Sequence, residues 1–239
     1  MSFAGMVSRG KLAAEPFRIG WASAKANVVP MIVLWTLAAG LALAYYFLPG
    51  FASLLEPLAR WQTQSGWVAA FLNRFVFCGV LPGLFMLALP ALRPARRPVA
   101  TVLLTALFCG VFGILTDAFF RLQCRWFGTG HDLATLLAKT AVDQFAWNVL
   151  VVTPCVSAFY FWAACGFSLR ETRTRWPGQW PLRVFAPSLI ANWCVWIPAV
   201  AATYAFPQPL QVQVSGIISA YWTLVCLKIG STSERRGRA

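Results

Sequence analysis

Apolar residues along this chain fall into six long runs separated by short polar or basic linkers. The runs are about 27–48, 67–92, 99–120, 139–167, 184–206 and 210–229. A helix needs roughly twenty mostly apolar residues to cross a bilayer. The pattern therefore predicts an all-α integral membrane bundle of about six transmembrane helices plus short interfacial helices. Pro30 sits in the first turn of the first run, where a missing N–H costs least. Pro82 and Gly83 lie in the middle of the second, where a proline predicts a kink. The linker pieces LLEPLARW and HDLATLLAK read as amphipathic, and Asp132 stands where a helix N-terminus favours negative charge. The expected organisation is a basic amphipathic lead-in over 1–26, one six-helix domain over 27–229 and a basic tail over 230–239.

Polar positions inside the runs change the picture. The fourth run opens with Asp143, Gln144, Trp147 and Asn148, whose spacings place them on roughly one side of a helix. A carboxylate facing lipid costs several kcal/mol, so this side must face protein, water or a headgroup. Arg74 is a second charge near the start of a run, and a candidate to offset Asp143. Asp117 and Arg121 are four apart and form a candidate ion pair. Asn192, Trp193 and Trp196 lie on the fifth run, and Gln211, Gln213, Ser215, Ser219 and Trp222 on the sixth. Ser215 with Ser219, and Gly216 with Ala220, repeat small residues at a spacing that lets helices approach closely. That seam predicts packing between the fifth and sixth helices, with a homo-oligomer contact as the functional version.

Composition supports a membrane setting. Of 239 residues, 59% are hydrophobic and only 11% charged, against about a quarter charged in soluble domains. The net charge of +13 does not point to nucleic acid, because the basic residues cluster between apolar runs as they do in membrane loops. Arg9, Lys11, Arg18 and Lys25 precede the first run; Arg93, Arg96 and Arg97 follow the second; Arg170, Arg173, Arg175 and Arg183 follow the fourth; Lys228 and three arginines follow the sixth. The alternate linkers are poorer, with Arg60 in one and Arg121, Arg125 and Lys139 in another. This places both termini on the positive-inside face of a bacterial inner membrane or an organellar membrane.

Chemistry is sparse. The seven cysteines are scattered without a CxxC pair and read as packing residues. The single His131 reads as an exposed loop residue. There is no HExxH, GxSxG, P-loop or dinucleotide turn, so no enzyme, cofactor or metal is expected. The N-terminal stretch lacks the apolar core and cleavage site of a secretory signal.

From about Val99 to Leu227 the chain resembles the Mpv-type family of peroxisomal and mitochondrial inner-membrane proteins. The residues that carry the likeness are GVFGILTDAFF at Gly110–Phe120, the pair Asp143-Gln144, Asn192-Trp193, Trp196 with Pro198, Phe206-Pro207 and Trp222. It departs from the family pattern at Val149, Val200, Thr203 and Gln211. The resemblance implies a small multi-pass protein, with some members forming weakly selective channels. The expectation is a narrow pathway for small solutes. Asp143, Gln144, Asn148 and Asn192 would line it, and Trp147, Trp196 and Trp222 would constrict it or close its ends. The alternative is a non-conducting scaffold or lipid-interacting protein whose polar groups are fully paired; an intramembrane enzyme is a distant third.

Overall fold

The computed structural model describes residues 28–90, 97–176 and 185–238, with Trp21 and Lys25; for 187, 188, 191 and 225–238 it describes the backbone alone. The described residues form helices and no strand. In chain order they are α1 (Val28–Phe47), α2 (Phe51–Ser65), α3 (Trp67–Ala88), α4 (Pro98–Phe127), α5 (Leu133–Ala164), α6 (Leu169–Arg175), α7 (Ala186–Tyr204) and α8 (Gln208–Arg238). The expected lead-in over 1–26, the basic linker residues Arg93 and Arg96, and Arg183 lie outside the described residues, Trp21 and Lys25 apart, as do the side chains of the basic tail.

Four of these helices, α1, α3, α4 and α5, are long and apolar enough to cross a membrane. That is compatible with a membrane protein. Their exteriors fit: on α4, Leu103, Leu107, Val111 and Leu115 recur every fourth residue and are all exposed. The opposite face of the same helix buries Ala106, Gly110, Gly113, Asp117 and Phe120. One helix thus carries an apolar outer stripe and an inner stripe of small and polar residues.

Three helices extend beyond their expected runs. α4 continues through Arg121 and Arg125 to Phe127, and α5 starts at Leu133, fusing the expected amphipathic piece HDLATLLAK to the fourth run. Asp132 caps that start: its Oδ1 accepts the Thr135 N–H at 3.0 Å and its Oδ2 accepts the Thr135 hydroxyl at 2.7 Å. Lys139, read from sequence as a loop charge, is instead buried on α5 at 1% exposure. With it removed, the linker between α4 and α5 is left without a lysine or arginine. α8 continues as helix through the stretch expected to be a separate tail.

The chain divides into two compact units. One comprises Ala141–Pro198 with the chain up to Ile32, and the other Val33–Thr140 with residues 199–239. Two of the limits fall where the helix is perturbed: at Pro198 inside α7, and two residues before Asp143 on α5.

Within the second unit, α3 and α4 run antiparallel in close contact. A Cβ on Gly79 would lie 2.3 Å from Ala106 Cα, and one on Gly110 would lie 2.5 Å from the Phe71 ring. A side chain at Gly79 meets backbone and forces the helices apart, and one at Gly110 must displace the Phe71 ring. Close approach of this kind replaces the missing hydrophobic drive between helices in lipid with dispersion contacts.

Two of the proline-bearing helices, α3 and α5, adapt in the same way. α3 holds a π segment at Phe75–Val80 directly before Leu81-Pro82, and α5 holds one at Asp143–Val152 directly before Thr153-Pro154. In each, the residue before proline donates its N–H five residues back, Leu81 to the Val76 carbonyl and Thr153 to the Asn148 carbonyl. A proline ring clashes with the carbonyl four residues back in a regular α-helix. Widening the preceding turn relieves the clash and keeps the backbone paired. Proline is therefore accommodated by a π segment in both helices.

Candidate functional site

In the first unit, the π segment of α5 presents Gln144, Asn148 and Thr153 at separations of four and five, the spacing its wider turn stacks. Asp143, Gln144, Asn148 and Thr153 are all buried. Gln144 Nε2 donates to Asp143 Oδ1 at 2.8 Å, and Asn148 Nδ2 donates to Gln144 Oε1 at 3.0 Å. Asn148 Oδ1 accepts from the Thr153 hydroxyl and from Asn192 Nδ2, both at 2.8 Å. Trp193 closes the set from α7: its indole N–H donates to the Gln144 carbonyl at 2.8 Å, and its ring meets Phe145 at 5.3 Å between centroids.

The row has a direction. A carboxylate accepts only, so Gln144 turns its NH2 to Asp143 and its oxygen to Asn148. Asn148 must then show its own oxygen to Asn192 and Thr153. Every donor points toward Asp143, and such chains polarise one another in a low-dielectric interior.

The second unit holds a matching row that the residue pattern did not reveal. Asp117 is fully buried, and Arg121 Nε donates to its Oδ2 at 2.7 Å. Its Oδ1 accepts Gln62 Nε2 at 3.1 Å. Gln213 Nε2 donates to Gln62 Oε1 at 2.7 Å, and Asn73 Nδ2 donates to Gln213 Oε1 at 2.7 Å. Three amides from α2, α8 and α3 thus point their donors in sequence toward a carboxylate on α4. The outer end is Arg121, 42% exposed; the inner end is Asn73, whose Oδ1 is buried without a partner. Gln62 was invisible in the sequence because it sits in a linker helix among polar residues. Only its contact with Asp117, 55 residues away, distinguishes it.

Of the residues singled out from sequence, Asp143, Gln144, Asn148 and Asn192 are joined by hydrogen bonds. Trp147 and Trp196 belong to the same unit and are half-buried. Trp222 and Arg74 belong to the second unit. Arg74 makes its hydrogen bonds within the second unit. Its Nη1 donates to Ser219 Oγ at 2.7 Å and to Cys78 Sγ at 3.8 Å, and its Nη2 donates to Ser215 Oγ at 3.0 Å. Asp117 and Arg121 do pair. The small residues of α8 are used differently from the expected seam with the fifth helix: Ser215 and Ser219 receive Arg74, and the Gly216 carbonyl receives the Cys78 thiol at 3.8 Å.

Lys139 is a buried cation, with its Nζ 3.7 Å from Cys124 Sγ. Gln123 beside it donates to the Lys139 carbonyl and to the Tyr204 hydroxyl, both at 3.0 Å. Among the described residues, no group of three His, Cys, Asp or Glu converges as a metal site. No protein-family model, curated protein or solved structure matches the chain.

Proposed function

We propose that this chain is a six-span membrane protein whose buried polar rows line a pathway for small polar solutes. α7 and α8 would complete the six spans, with both termini on the positive-inside face. The observation that carries the reading is the row from half-exposed Arg121 through Asp117, Gln62 and Gln213 to the open Asn73 oxygen. It runs from an exposed end to an unfilled acceptor inside a shell of apolar side chains. Amides that trade partners with one another can trade them with a passing solute at little net cost. In the first unit, Asp143, Gln144, Asn148 and Asn192 supply the same chemistry, and Trp147 and Trp196 border it. The Mpv-type resemblance agrees with this reading.

A second reading is a non-conducting scaffold, and one observation favours it. Apart from Asn73 Oδ1, each amide named in the second row has both ends paired. Paired interhelical hydrogen bonds stabilise a bundle by about 0.6 kcal/mol each. Flux of a panel of neutral and anionic metabolites from vesicles containing the purified chain separates the two. The pathway reading expects flux above protein-free vesicles, altered by Asp143→Asn in a folded variant. Flux no greater than in protein-free vesicles would leave the scaffold.

A further inference from the structure

We infer that Arg74 forms a binding site for a small oxyanion, a carboxylate or phosphate group. Arg74 is the eighth residue of the 22-residue helix α3, about 10 Å in from its start at 1.5 Å per residue. A long basic side chain at that depth usually snorkels back to the nearer end. Arg74 does the reverse. Its Nη1 reaches Cys78, one turn further in, and the two serines it meets are the eighth and twelfth residues of α8.

Its partners are neutral. Among the described residues no carboxylate pairs with Arg74. The serine hydroxyls give their own protons to backbone, Ser215 to the Val212 carbonyl at 3.0 Å and Ser219 to the Ser215 carbonyl at 2.7 Å. They hold the guanidinium in place as acceptors without cancelling its charge. Arg74 is half-buried; an uncompensated charge drawn partly out of water is costly, so a held one marks a place for an opposite charge.

The unused donors have the right shape. A guanidinium carries five N–H groups. Ser219 and Cys78 take both on Nη1, and Ser215 takes one on Nη2. What remains is one N–H on Nη2 and the N–H on Nε, which is buried without a partner. Nε and an adjacent terminal nitrogen form the fork that grips a carboxylate or phosphate through two parallel bonds. The structure therefore fixes the end of the guanidinium on α8 and leaves two donors over. The site stands whether or not the polar rows conduct.

The test uses the full chain in discs of neutral lipid, with ionic strength held by a bulky sulfonate. The unfolding midpoint is followed as formate or inorganic phosphate is raised, and in parallel discs containing phosphatidylglycerol. Stabilisation by a bound anion grows with its concentration over its dissociation constant. Formate is expected to raise the wild-type midpoint, Arg74→Lys to weaken its binding at least about tenfold by losing the planar fork, and Arg74→Gln to abolish the response. A rise with phosphatidylglycerol alone, lost in Arg74→Gln, supports the site with a lipid phosphate as occupant. A wild-type midpoint indifferent to every anion and lipid overturns the proposal, and so does an Arg74→Gln response equal to wild type. If Arg74→Gln does not fold, Arg74→Lys decides: an undiminished response overturns the fork.

Discussion

The amide oxygen of Asn73 occupies the space a side chain on Gly216 would need. A Cβ built there would lie 1.8 Å from Asn73 Oδ1. The bare glycine on α8 lets the asparagine on α3 come close enough to donate to Gln213 at 2.7 Å. A small residue in the last helix thus sets the position of the inner end of the second polar row.

Gly216→Ala is accordingly expected to displace Asn73 and destabilise the chain by about 1–3 kcal/mol, the range for overpacking a close contact. Unfolding in detergent measures it. In a cycle with Asn73→Ala, the double variant should lose clearly less than the sum of the two, because the clash needs both partners. Additive losses would mean that Gly216 acts elsewhere.

Gln213→Leu removes the central amide of that row. It leaves Gln62 Oε1 without its donor and Asn73 Nδ2 with only the long bond to the residue 213 carbonyl at 3.5 Å, at a cost of about 1–3 kcal/mol for a buried group that loses its partner. A loss below about 0.5 kcal/mol in the same unfolding assay would show that both groups find replacements.

Pro154→Ala restores an N–H to α5 and removes the reason for the π segment at Asp143–Val152. The turn is expected to tighten and rotate Asn148 away from Asn192. Helix content by circular dichroism should hold. The coupling between Asn148→Ala and Asn192→Ala, about 0.6 kcal/mol for a bond of this kind, should fall toward zero in the Pro154→Ala background.

Asp132 gives a pH signature. The hydroxyl of Thr135, and then its N–H, hold the Asp132 carboxyl below the ordinary aspartate range. A depressed folded value means that its contribution is present above the unfolded value of about 3.9 and is lost as pH falls through the lower folded one. The gap in unfolding midpoint between wild type and Asp132→Asn should stay constant near neutrality and shrink below about pH 4. A gap that widens on acidification would contradict the cap.

Much of the fold was legible as pattern. Run length and composition gave helices close to their observed limits for α1, α3 and α7, because a stretch that must satisfy its backbone without water has one local solution. Asp117 with Arg121, and Gln144 with Asn148 and its neighbour Asp143, were legible for the same reason: partners adjacent or one turn apart on a helix are a local matter. Arg74 was legible as a charge out of place, but not as a group held by serines.

What tertiary structure decided is pairing at a distance. Gln62 reads as an ordinary linker amide, and Lys139 as an ordinary loop charge, until the helices are brought together and both are buried. The division into two units is likewise absent from the run pattern. Periodicity records only which side of a helix is polar. Which helix meets that side depends on packing volume and on donor–acceptor geometry between residues far apart in sequence, as when Gln213 reaches Gln62 across 151 positions.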